Sequence, residues 1–189
     1  MVKDGIKSGT MTTKIVAQGA IIAALYVVLS LVTYQFSYLE IQCRVAEALC
    51  MAIYFTPAGV WGVFVGCFIT NLFSGSWIDI VFGSAATLIA ALLTRAIAIP
   101  VRKKCGRNPD MKHMLLIPIP TVVINAIVIP FVLYYGYGIV SMGSATAKWS
   151  VIGLMIFSIA AGEIISCYVF GPIVVKLMTA AEARISVSA

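Results

Sequence analysis

The chain has 189 residues, 61% of them hydrophobic and only 11% charged, with 13 Lys and Arg against 7 Asp and Glu for a formal charge of +6. Soluble domains carry roughly 25% charged residues, so this composition excludes an ordinary soluble domain, a disordered chain and a secreted disulfide scaffold. A bilayer span takes about 20 mainly apolar residues, so six spans use roughly 120 and leave one integral membrane domain over residues 1–189 with short loops.

Residues 1–13 form a basic N-terminal segment. With Lys14, its Lys3 and Lys7 mark the cytoplasmic side of the first span, 15–33. That stretch is long and lacks a small-residue cleavage site, so it is expected to be an uncleaved helix and not a signal peptide. An aromatic loop follows, and 33–42 is the candidate lid. Residues 39–73 then read either as one long kinked helix or as two short ones turning at Thr56-Pro57.

Charge parity separates these two readings. The basic loop 101–113, with Arg102, Lys103, Lys104, Arg107 and Lys112, belongs on the same side as Lys14, which requires an even number of crossings between them. The expected fold is therefore an all-α bundle with spans 15–33, 40–56, 58–74, 77–99, 114–135 and 149–171 and both termini cytoplasmic. Eleven of the thirteen bases then lie inside, all but Arg44 and Lys148, so the positive charge reads as a topology signal and not as a nucleic-acid surface. The localisation that follows is a multi-pass protein of the plasma membrane.

Ionisable residues inside a span cost a few kcal/mol and face a bundle interior, a partner or a polar cavity. Glu47, Asp79 and Glu163 stand out for that reason, with Glu40 at the outer edge. Glu47 could pair with Arg44 three residues earlier. Asp79 could cap the helix beginning near Trp77. Asn71 and Asn125 could bond between helices or to a ligand. The aromatic residues at the outer boundary read mainly as an interfacial belt.

Enzyme signatures are lacking: there is no His-Glu-x-x-His, no phosphate-binding glycine loop and no Gly-x-Ser-x-Gly. Without a nucleotide site the chain cannot hydrolyse ATP itself. The five cysteines have no paired spacing and suggest neither a disulfide framework nor a metal site, and His113 reads as a surface residue. In the first span Ala20-x-x-x-Ala24, overlapping Gly19-x-x-x-Ala23, forms a smooth stripe suited to close helix packing, within the chain or against a partner.

Several stretches carry a family resemblance. They are Ala20-Ile21-Ile22-Ala23-Ala24-Leu25-Tyr26, Gln42-Cys43-Arg44-Val45-Ala46-Glu47-Ala48-Leu49, Gly62-Val63-Phe64-Val65-Gly66 running on to Asn71, and Asp79-Ile80-Val81-Phe82-Gly83. Over roughly residues 14–175 the chain resembles the queuosine-precursor transporter family, the QueT-type substrate-binding (S) components of energy-coupling factor importers. The stretch before Met11 is longer than the family pattern.

The resemblance implies a six-helix S component that captures a 7-deazaguanine such as preQ1 or queuine from outside. It also implies docking through the first helix on a transmembrane coupling subunit that carries two ATPases, which use the ATP. Ala20 and Ala24 match the docking motif. For such a ligand, Glu47 or Glu163 would read the purine edge and Asp79 or Glu40 would meet the amine. Gln42, Asn71 and Asn125 would add hydrogen bonds, and Arg44 would orient Glu47. Two alternatives remain: an S component for another vitamin, or an ion-coupled carrier using the buried acids as a relay.

Overall fold

A computed structural model describes residues 2–33, 44–136 and 145–187, with side chains over 13–33, 44–73, 75–136 and 148–184. All its elements are helical. They are α1 (Val2–Val32), a 3-10 helix (Val45–Met51) running into α2 (Ala52–Phe55), α3 (Ala58–Ser74), α4 (Ser84–Cys105), α5 (Met111–Leu116), α6 (Ile119–Phe131), α7 (Ala145–Ile164) and α8 (Gly171–Val187). Three π-helical segments join these into longer rods: Asp79–Gly83 leads into α4, Val132–Gly136 extends α6, and Ile165–Phe170 links α7 to α8.

Four stretches are long and apolar enough to cross a membrane: Thr13–Val32, Asp79–Cys105, Met111–Gly136 and Lys148–Arg184. Between the first two lie shorter apolar helices, Val45–Phe55 and Ala58–Phe73. The break at Thr56-Pro57 is where the sequence put it. Thr56 is extended at φ −144° and ψ 140°, the conformation a following proline imposes. Its Oγ1 accepts the Ala58 N–H at 3.2 Å and donates to Gln18 Oε1 at 2.8 Å, tying the turn to α1.

The second expected span is where sequence and structure part. Residues 40–56 were expected as a regular membrane-spanning helix; the described part is a seven-residue 3-10 helix and a single α turn. At 2.0 and 1.5 Å rise per residue these reach about 20 Å, short of the roughly 30 Å hydrocarbon core. Every residue from Ala46 to Tyr54 is buried, so no separate face exists. Backbone of this kind is tolerated at membrane depth only when protein shields it from lipid.

That shield is α1, α3, α4 and the rod formed by α7 and α8. Helices α1 and α3 touch most intimately, through Gly62 and Gly66. A Cβ on Gly62 would come within 2.7 Å of Ile22 Cβ, and one on Gly66 within 2.5 Å of Tyr26 Cβ. The outer surface is apolar, with Ile21, Leu25, Val28, Leu72, Leu154 and Phe157 exposed. Apolar outside and polar within is the arrangement that lipid as a solvent demands.

One end of the bundle gathers the bases. Arg102 makes a two-pronged bond to Glu182 at 2.8 and 2.9 Å and lies 5.1 Å from the Tyr54 ring centre, and Arg107 reaches the same carboxylate at 3.5 Å. The Tyr54 hydroxyl donates to the Gly106 carbonyl at 2.8 Å. These contacts bring the ends of α2, α4 and α8 together.

Candidate functional site

The polar centre forms where α1, the 3-10 helix, α6 and α7 converge. Glu47 stands in the first turn of the 3-10 helix, fully enclosed, and its Oε1 accepts the Tyr26 hydroxyl at 2.5 Å. Tyr26 itself is buried in a notch that Gly66 leaves open. Glu163 lies at the end of α7, directly before the π segment Ile165–Phe170, and its Oε1 accepts from Asn125 Nδ2 of α6 at 2.9 Å. A π segment displaces the backbone hydrogen-bond ladder and often marks a functional position. Here Ser166 Oγ takes up the Gly162 carbonyl at 2.9 Å.

Arg44 precedes the 3-10 helix, and its charge acts on both Glu47 and Glu163. It forms no ion pair within 4.0 Å with a described carboxylate. The described hydrogen bond that holds Glu47 comes from Tyr26. Two acids therefore share the influence of one base. Two buried atoms of the cluster, Glu163 Oε2 and Asn125 Oδ1, have no hydrogen-bond partner. Both are acceptors, and burying an unmet acceptor costs about 1–3 kcal/mol. An N–H donor or a positive charge would satisfy both.

Cysteines surround the acids as small, polarisable packing. Cys167 Sγ is 3.8 Å from the Glu47 carbonyl oxygen and 3.9 Å from Cys50 Sγ, while Cys67 accepts from Thr87 Oγ1 at 3.2 Å.

Asn71 has a structural task. Its Nδ2 donates to the Asp79 carbonyl at 2.9 Å and Ser84 Oγ at 3.2 Å, bracing the π segment Asp79–Gly83 from α3. Asp79 is half-buried three residues after Ser76, and its N–H reaches Ser76 Oγ at 3.4 Å, the geometry of a helix start. Glu40, Gln42 and the greater part of the candidate lid lie outside the described residues.

Trp77 and Trp149 are exposed, as an interfacial belt requires, and Lys148 Nζ sits 4.9 Å from the Tyr135 ring centre. A neighbouring groove of about 570 Å³, lined by Trp77, Phe82, Phe131 and Tyr135 among others, contains no carboxylate.

Tyr26 is the residue of this cluster that sequence reasoning passed over. The signal was a phenol on the same helical face as Gly19 and Ala23, whose hydroxyl needs a partner inside an apolar span. The small residues of α1 divide: Ala23 is buried and Gly19 faces Ala58, whereas Ala20 and Ala24 are exposed.

The family model described as QueT transporter matches residues 16–180. A curated relative, the "Queuosine precursor transporter QueT" of Lactococcus lactis subsp. cremoris (strain MG1363), is 39% identical over 72 residues, covering 37% of this chain and 43% of that protein. The match thus takes in less than half of the relative's length. No solved structure matches.

Proposed function

From the premise that the chain belongs to the QueT transporter family and is a multi-pass protein of the bacterial membrane, we propose that it is the substrate-binding S component of an energy-coupling factor importer. Its ligand is a 7-deazaguanine such as preQ1 or queuine, captured from outside. The observation that carries this reading is the buried cluster of Glu47, Glu163 and Asn125, whose two unmet atoms are both acceptors beside one base and two acids. A guanine-like edge presents a ring N–H and an amino group side by side, and an aminomethyl substituent adds a cation. Glu163 Oε2 and Asn125 Oδ1 accept from the edge, and Glu47 supplies the compensating charge. Asp79 or Glu40 meets the amine, and Gln42 adds a further hydrogen bond.

The six apolar helical stretches form the membrane bundle, with the short Val45–Phe55 enclosed by the others. The basic end faces the cytoplasm, and both termini lie there. Ala20 and Ala24 form the docking stripe for the coupling subunit, and two partner ATPases use the ATP. What supports the docking role is their outward position on α1, beside inward neighbours already committed to α3.

The test is uptake into liposomes holding the purified chain alone. The S-component reading expects bound preQ1 but no accumulation under an imposed proton gradient, and ATP-driven accumulation once the coupling subunit and ATPases are added. Gradient-driven accumulation by the chain alone contradicts it and establishes an ion-coupled carrier.

A further inference from the structure

At the basic end of the bundle the chain reverses between α4 and α5, and three chemically different donors meet there. Cys105 closes α4, Asp110 stands at the N-cap of α5, and His113 lies one turn into that helix. The Cys105 Sγ is 3.3 Å from His113 Nδ1 and 3.9 Å from Asp110 Oδ2, and that same Oδ2 is 3.6 Å from Nδ1. A tetrahedral zinc ion with bonds of about 2.3 Å to sulfur and about 2.0–2.1 Å to nitrogen and oxygen holds its ligand atoms roughly 3.3–3.6 Å apart. The three donors already stand close to that triangle.

The backbone explains how residues so spaced converge. Gly106 adopts φ +65°, which turns the chain back on itself, and its carbonyl is anchored by the Tyr54 hydroxyl at 2.8 Å. The Asp110 carbonyl accepts the N–H groups of His113 and Met114 at 2.9 and 3.0 Å, starting α5. An aspartate at this position ordinarily turns its carboxylate onto those same N–H groups. Here it makes no such cap, and the carboxylate points instead at the thiol and the imidazole.

We propose that Cys105, Asp110 and His113 form a three-ligand site for a divalent ion of the zinc class, with a fourth position open to water. The donor set decides the metal: a thiolate and an imidazole suit zinc, whereas calcium and magnesium take oxygen ligands. Cys105 and His113 are half-buried and Asp110 is exposed, which leaves one face of the triangle toward solvent. The surrounding bases oppose a cation, but Arg102 and Arg107 are both engaged by Glu182, and thiolate with carboxylate brings two negative charges. On binding, the Cys105 thiol releases its proton to solvent and the three donors displace all but one of the waters of the hydrated ion, with no change of oxidation state. The ion closes the turn between the rod ending at Cys105 and the one beginning at Met111. Single cysteines and a lone histidine carry no motif, so only the fold reveals the site.

The test uses the full chain, purified in detergent and stripped with a chelator, then titrated with cobalt(II) as a spectroscopic probe and with zinc(II) against a chromophoric chelator. A single cobalt ion with a thiolate-to-metal charge-transfer band and intense four-coordinate visible absorption is expected, displaced by zinc. Cys105→Ser abolishes that band although Cys43, Cys50, Cys67 and Cys167 remain. His113→Gln and Asp110→Asn each weaken zinc by at least about tenfold. A protein that takes up no cobalt, or a band that survives Cys105→Ser, overturns the proposal and leaves the three groups as a hydrogen-bonded trio. Zinc affinity unchanged by all three substitutions does the same.

Discussion

Tyr26 and Asn125 hold the two carboxylates by different means, and the difference is measurable. Tyr26→Phe removes the hydroxyl that Glu47 accepts, leaving a buried oxygen unpaired while the ring still fills its notch. Hydrogen bonds to charged groups contribute about 1.5–3 kcal/mol, so thermal unfolding in detergent should show a stability loss of that size. Glu163→Gln keeps an acceptor for Asn125 Nδ2 and puts an amide donor in place of Oε2, where the ligand's donors arrive. The expected result is near-normal unfolding with preQ1 affinity lowered by roughly tenfold to a hundredfold, read by calorimetry. The acids were visible in the sequence because an ionisable residue in an apolar stretch demands a reason. Their partners were not, because Tyr26 is 21 residues from Glu47 and Asn125 is 38 from Glu163, distances that only the fold closes.

Among the elements, the contact of α1 with α3 sets the position of Tyr26 and hence of Glu47. Gly66→Ala places a Cβ 2.5 Å from Tyr26 Cβ and 3.0 Å from the Ala23 carbonyl, neither a flexible side-chain end. Overpacking of this kind costs about 1–3 kcal/mol. Gly153→Ala in α7 meets nothing within 4 Å, and a helix gains roughly 0.5–1 kcal/mol when alanine replaces glycine. Thermal scans should therefore move in opposite directions for the two variants; a Gly66→Ala protein as stable as the parent contradicts this account of the α1 and α3 interface. The long spans were legible from length and hydropathy, and the break at Thr56-Pro57 from proline chemistry. The 3-10 helix was not, because residues 46–54 are buried on all sides and their mainly apolar run holds no period to distinguish 3.0 from 3.6 residues per turn. The π segments were equally hidden, since they depend on contacts from other helices such as Asn71 on the Asp79 carbonyl.

At the scale of the whole molecule the chain is built inside out. Apolar side chains face outward along the rods, the acids meet at depth, and the bases collect at one end with Glu182 binding two of them. The short Val45–Phe55 segment is sheltered within this shell, so a non-standard backbone can hold Glu47 where no lipid reaches it. A ligand that supplies donors to Glu163 and Asn125 completes a set of hydrogen bonds that the protein leaves open. The most direct measurement is calorimetric titration of the detergent-purified chain, without partners or nucleotide, with preQ1, queuine, guanine and a vitamin panel. Tight and selective binding of a 7-deazaguanine is the predicted result. Tight binding of a different vitamin, with none of the deazaguanines, would contradict the assignment of the ligand. No binding of any compound would contradict the capture role itself.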